Sequence, residues 1–290
     1  MMKRNLLLAG YTGYTTVDKV EDFVESYNEV RRQQDDLCIV YEQRSPINDY
    51  LDKFDWVIQV RKERTCTCNY TNRFKWFHEI IDLSEHELFL TADIRDVIFQ
   101  KNPFEWMELN LKKDYIICDE GIKHEGTKGG EWNLAQTESG FPDMVSSLRK
   151  KNVHNVGVMG GGRRIGRVCY NVWDKCNGRQ PPLTRKTEEF IIDQACFNVL
   201  THLTEEKAFC HPSGPKETWC VTLSTSSEAV PEIHLVDNLL CNPDKEPYAI
   251  VHQAERHDAF MRYLGKGKFE LFKDQDTYAT AIIRGVDYVD

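Results

Sequence analysis

Residues 88–104 read LFLTADIRDVIFQKNPF, and the architecture of the whole chain turns on this run. Its apolar stretch stops at Asp93, passes Arg95, meets a second carboxylate at Asp96 and becomes apolar again. A strand buried on both faces of a parallel sheet reads as a continuous apolar run, and ligands of such sheets bind in the crevice beyond the strands' carboxyl ends. Asp93 stands at such an end. If the strand continued, Asp93 and Arg95 would share a face and Asp96 would point the other way; a turn after Asp93 lets residues three apart converge. Two carboxylates about 5 Å apart repel by roughly 3 kcal/mol at an effective dielectric near 20, so a cation belongs between or beside them. It is either Arg95, in a structural salt bridge, or a divalent metal held by hard oxygen ligands.

The flanking sequence sets that strand in an α/β rhythm. Residues 5–9 read as a buried strand, and Val17, Val20, Phe23, Val24, Tyr27 and Val30 then recur at helical spacing. Residues 37–41 and 55–60 are strands, and 72–81 is a helix with Phe74, Phe77 and Ile81 inward. Alternation of this kind specifies a mostly parallel central sheet flanked by helices. Beyond Phe104 the pattern loosens. Strands are expected at 115–118, 156–159 and 248–251, helices at 163–175 and 187–203, and an irregular polar segment at 120–140. With no repeat and no low-complexity linker, one α/β unit with an irregular C-terminal half is favoured over two domains.

The 290 residues suffice for a sizeable core. A net charge of −9 argues against nucleic acid as a partner, since phosphate binding needs a positive surface. An anionic small molecule would need a local Arg or Lys cluster or a bound cation. No stretch reaches the roughly 20 apolar residues of a membrane span, and the N-terminus lacks a signal-peptide pattern, so a soluble cytoplasmic protein is expected. The ten cysteines are scattered, with Cys66 and Cys68 as the only close pair, which reads as reduced thiols rather than a zinc site.

The block LTADIRDVIFQKNPF follows NRFKWF and precedes HNVGVMGG, DQACFN and IVHQAERH, and in that order these motifs resemble glycosyltransferases of the GT-A fold. The resemblance runs from about Arg73 to His252 and is similar to soluble bacterial or large-virus enzymes of that class. It implies a Rossmann-like sheet, a nucleotide-binding half over 1–104 and a sugar and acceptor half over 105–290. It also implies a nucleoside-diphosphate sugar donor, a UDP-sugar for preference, with Mn or Mg as cofactor and a glycan or glycoprotein hydroxyl as acceptor.

Carried over residue by residue, the resemblance makes Asp93, Asp96 and His252 metal ligands. The spacing departs from the family's DxD, because Arg95 holds the usual second Asp position. Gly10, Tyr11 and Thr12 fall where the base binds, and Arg73 lies against the donor. Arg95, Asn155, Gly157 and Arg256 are further donor-binding candidates, Gly160 to Gly162 resemble the sugar-pocket segment, and Lys266 and Lys268 could reach the diphosphate. Asp193 and Gln194 match the pair beside the donor sugar, which favours retention of anomeric configuration; an inverting enzyme would use Asp193 as general base. Two other classes compete: a two-metal phosphohydrolase, which needs more clustered ligands than can be placed, and a nucleotide-sugar-binding module without transfer activity.

Overall fold

A computed structural model describes residues 4–11, 16–63, 65, 69–177, 192–223, 234–237 and 239–253. In chain order the elements are β1 (Asn5–Tyr11), α1 (Glu21–Val30), β2 (Asp35–Tyr41), α2 (Pro46–Leu51), β3 (Val57–Arg61), α3 (Asn69–Leu83), β4 (Leu88–Asp93), β5 (Val97–Phe99), α4 (Pro103–Asn110) and β6 (Tyr115–Lys123). They continue with α5 (Lys128–Gly140), α6 (Val145–Leu148), β7 (Asn152–Gly161), α7 (Arg164–Cys176), α8 (Ile192–Leu203), β8 (Cys210–Ser213), β9 (Cys220–Thr222), β10 (His234–Val236), β11 (Leu239–Cys241) and β12 (Ile250–His252).

Seven strands form the central sheet in the order β3-β2-β1-β4-β7-β6-β8. All run the same way except β7, which is antiparallel to both β4 and β6. The interior strand β1, between β2 and β4, shows why the sheet lies at the centre. Leu6 and Leu8 enter one apolar core and Leu7 and Ala9 the other, as period-two geometry requires of a strand covered on both sides. One core takes Phe74, Phe77 and Ile81 of α3, Ile165, Val168, Cys169 and Val172 of α7, and Ala195, Cys196 and Phe197 of α8. The other takes Phe23, Val24 and Tyr27 of α1 and Ile47 and Leu51 of α2, together with Val97, Cys220 and Ile250 from a second, three-stranded sheet. That small sheet has the order β5-β12-β9.

Two segments differ from the sequence reading. The stretch 120–140 is regular: β6 runs on to Lys123 and α5 follows, its first turn capped by Thr127, whose Oγ1 accepts the Gly130 N–H at 3.0 Å. A Cβ on Gly130 would come within 2.0 Å of the Lys123 carbonyl oxygen. The glycine that reads as flexibility is thus what lets the helix start against the end of β6. The unexpected α4 also has a local cause. Asn102 Oδ1 accepts the N–H groups of Phe104 and Glu105 at 2.9 and 3.0 Å, with Pro103 at the first helical position.

Asn102 also ties that helix to the sheet, since its Nδ2 donates to Asp35 Oδ2 at 2.7 Å and to the Val30 carbonyl at 3.1 Å. Asp35 is buried and further held by Asn5 and Arg32. Substituting Asn102→Ala should therefore lower unfolding free energy by about 1–2 kcal/mol, the upper range for cap loss, measured by urea denaturation. Loss of less than a few tenths would mean that the cap is compensated.

Candidate active site

Asp93 closes β4 at the carboxyl edge of the sheet, beside Gly10 of β1 in register. The chain then turns, and Asp96 lies at the start of β5 with its carboxylate buried. The third member arrives from far along the sequence. His252 ends β12, which pairs antiparallel with β5 so that His252 faces Val97, and parallel with β9 so that it faces Thr222. His252 Nε2 lies 3.5 Å from Asp93 Oδ2 and 3.5 Å from Asp96 Oδ1. One ligand atom from each of the three residues falls within 4.8 Å of the others. The turn thus brings both carboxylates together, the second of the two geometries open to the sequence.

The fourth wall is backbone. Gly157 of β7 sits where a Cβ would come within 2.5 Å of His252 Cε1, 2.7 Å of its Nε2 and 2.8 Å of Asp93 Oδ2. Its placement follows from a bulge. Ile117 of β6 pairs with Met159, but Cys118 pairs with Asn155, so β7 carries extra residues where it passes the site.

The cation beside the carboxylates is Arg73 of α3. Its Nη1 donates to Asp93 Oδ1, and its Nη2 lies 3.6 Å from Asp193 Oδ2 on α8. Arg73 is therefore no helix-surface charge. Arg95 is half-buried in the turn between the two aspartates.

These charges perturb one another. Burial alone would raise the Asp93 carboxyl, yet Arg73 and then His252 hold it down at about 2. For His252 burial disfavours the charged ring, but Asp96 and Asp93 outweigh it and raise the imidazole to about 10. Burial raises the Asp193 carboxyl, opposed by Arg73 and reinforced by Asp93.

Asp96 Oδ1 and His252 Nε2 are buried and complete no hydrogen bond, as is Asp193 Oδ2. Buried polar atoms are nearly always satisfied, so orphaned ones converging on a point suit a missing ligand. Two carboxylates and an imidazole are a donor set for Mn²⁺ or Mg²⁺, the imidazole favouring a transition metal. His252 Nδ1 lies 3.4 Å from Thr222 Oγ1, a second contact of the kind that orients metal-ligating imidazoles. Coordination requires the neutral ring. Metal binding should therefore release close to one proton per ion at pH 7.5, and affinity should rise by about tenfold per pH unit up to about 10. Calorimetry in buffers of different ionisation enthalpy measures that proton; no release would place the ion away from His252.

Other expected residues have different placements. Tyr11 is buried, its ring stacked on Tyr41 at 6.0 Å between centroids and its hydroxyl donating to Asn48 Oδ1 at 2.7 Å. Its ring and its hydroxyl are both engaged within the core. The stretch Gly160 to Gly162 is corrected. Because β7 is antiparallel to β4, Gly160 pairs with Leu90 and Gly161 with Phe89, away from the Asp93 end of β4. A Cβ on Gly160 would strike Met107 and Trp219, so that glycine serves core packing. Gln194 donates through Nε2 to the His154 carbonyl at 2.8 Å and accepts the Val156 N–H at Oε1, 3.0 Å. Its amide docks α8 on β7 rather than standing open to a sugar. Thr12, Arg256, Lys266 and Lys268 lie outside the described residues, as do Cys66 and Cys68. The eight described cysteines are buried.

Sequence reasoning missed Glu120 and Thr222. Glu120 lies inside β6, with Asp119 between it and the apolar run YIIC, so a pair of carboxylates after an apolar run was the available signal. For Thr222 the sequence gives no signal.

No protein-family model matches the sequence, and no curated protein matches it. Solved structures do match by shape, and the fold they define is that of the GT-A glycosyltransferases. The galactosyltransferase LgtC in complex with donor and acceptor sugar analogs is 11% identical and superposes with a TM-score of 0.53, over 90% of this chain and 95% of that one. A second LgtC structure, an active-site mutant, is 10% identical over 97% and 94% with a TM-score of 0.52. Mouse xyloside xylosyltransferase 1 in its apo form, 11% identical over 77% and 88%, reaches 0.48. The likeness is one of fold. Among the described residues no helix is long and apolar enough to cross a membrane.

Proposed function

We propose that the chain is a metal-dependent glycosyltransferase that moves a sugar from a nucleoside-diphosphate donor, a UDP-sugar for preference, to a hydroxyl of a glycan or glycoprotein. The observation that carries this reading is the convergence of Asp93, Asp96 and His252 at the carboxyl edge of a GT-A sheet, with buried ligand atoms on Asp96 and His252 that complete no hydrogen bond. LgtC, whose complex contains donor and acceptor sugar analogs, supports the choice of substrate class.

Asp93, Asp96 and His252 would hold Mn²⁺ or Mg²⁺, and a bound divalent ion would supply the positive charge that stabilises a departing diphosphate. The chain's own residues do the rest. Arg73 fixes Asp93 in place and adds a permanent positive charge to the same crevice. Asp193, whose buried Oδ2 completes no hydrogen bond and lies 3.6 Å from Arg73 Nη2, is the carboxylate we assign to the anomeric centre. In a retaining reaction, the outcome we favour, that oxygen stabilises positive charge on the sugar. In an inverting one it removes the acceptor hydroxyl proton. Burial raises the Asp193 carboxyl, which makes it a better base. Gln194 positions Asp193 by holding α8 to β7. The metal cluster is the only group of its kind among the described residues, and that favours transfer over a two-metal hydrolase.

Thermal shift with UDP-, GDP- and CMP-sugars, with and without Mn²⁺, tests the proposal. One donor at 100 times its Kd should stabilise by about 2.7 kcal/mol in Mn²⁺ and lose most of that in chelator. His252→Ala should abolish the difference. Equal stabilisation in chelator would overturn the metal's role.

A further inference from the structure

The wall formed by Gly157 is fixed by a hydrogen-bonded relay that reaches back to β6. The Gly157 N–H donates to Asn155 Oδ1 at 2.7 Å. Asn155 Nδ2 in turn donates to Glu120 Oε1 at 2.7 Å, and both side chains are buried. An amide side chain whose oxygen must accept from Gly157 has to present its nitrogen on the other side, and a carboxylate, which only accepts, is the partner that enforces that orientation. The bulge makes this necessary. Where β6 and β7 lose register between Cys118 and Ile117, ladder bonding no longer holds the strand, and Gly157 relies on a side chain instead.

We propose that Glu120 is a positioning residue for the metal centre: through Asn155 it holds the Gly157 backbone in the place against which Asp93 and His252 close. The inference rests on the metal-site reading above. It gives Asn155 a different task from the direct sugar contact expected from sequence, and it assigns a role to a buried carboxylate outside the three-ligand cluster.

Two variants isolate the hydrogen bond from the charge. Glu120→Ala and Glu120→Gln both remove the negative charge, but the second retains an oxygen that accepts from Asn155. Mn²⁺ affinity, read by electron paramagnetic resonance titration, should fall about 10- to 100-fold in Glu120→Ala and by less than threefold in Glu120→Gln. In the metal-free protein, exchange of the Gly157 amide hydrogen should quicken at least tenfold in the first variant only. Asn155→Asp alone sets two carboxylates against each other and should lose both readouts, and adding Glu120→Gln, which reverses donor and acceptor between the two side chains, should restore them to within threefold of the parent.

A merely structural Glu120 would lower the melting temperature of Glu120→Ala while leaving Mn²⁺ affinity and Gly157 exchange unchanged, which overturns the inference. Equal loss in Glu120→Ala and Glu120→Gln would also overturn it, because charge and not the relay would then be responsible. If the parent protein binds no Mn²⁺, the metal reading fails, and Gly157 exchange still decides whether Glu120 governs that backbone.

Discussion

Gly157→Ala should cut glycosyl transfer and Mn²⁺ affinity by at least about 100-fold while the protein stays folded. The added methyl would lie 2.5–2.8 Å from His252 and Asp93 Oδ2, closer than real Cβ atoms approach other heavy atoms. Something must move. The candidates are the Asp93 carboxylate, the ring of His252, or the bulge of β7, and each displacement separates atoms that meet at one ion in the proposed function. Misplacement of about 1 Å at a reacting centre costs on the order of 100-fold in rate. Overpacking of this kind destabilises by about 1–3 kcal/mol, so circular dichroism should still report the parent's fold at 25 °C. Transfer within threefold of the parent would show that the ligands close without the glycine, and the site as described would be wrong.

Asp93→Asn is expected to have the second large effect, for an electrostatic reason. Asp93 meets both Arg73 and His252 through separate oxygens, Oδ1 for the first and Oδ2 for the second. The amide keeps the shape and removes the charge. Mn²⁺ binding should weaken by more than the 10–100-fold typical of residues that only support a ligand. Transfer should fall in parallel, because a group acting on the developing charge lowers kcat rather than raising KM alone. His252 should also titrate below about 10, since one of the two carboxylates that raise it is gone. The sign is fixed by linkage: a cation that loses an anionic neighbour gives up its proton at lower pH. An NMR titration of the His252 ring in the metal-free variant checks this. An unshifted ring would mean that Asp96 alone governs the histidine.

The sequence made much of the scaffold legible. In α3, Phe74, Phe77 and Ile81 point inward as their spacing requires, and in α7 Ile165, Val168, Cys169 and Val172 do the same. Apolar periodicity is a local property, and local geometry carried it into the structure. The interval 120–140 was misread because glycine and polar residues usually mark loops, whereas here Gly130 makes room for a close helix start and Asn133 and Thr137 are buried within the helix. The partners of Tyr11 also lie beyond local sequence. Its position at a strand end is right for a ligand contact, but Tyr41 and Asn48, which claim its ring and hydroxyl, come from other elements.

By itself the sequence determined the parallel sheet, the end of β4 at Asp93 and the presence of a second carboxylate at Asp96, because strand burial and the position of charge are written along the chain. Only the tertiary structure decided which cation meets Asp93, that Gly157 rather than Gly160 forms the wall, and how His252, expected as a ligand from the resemblance alone, reaches the two aspartates. Those outcomes depend on an antiparallel β7 with a bulge, and on a small second sheet that brings β12 against β5. Contacts between residues some 150 positions apart follow from how strands pair, and strand pairing leaves no local periodic mark in the sequence.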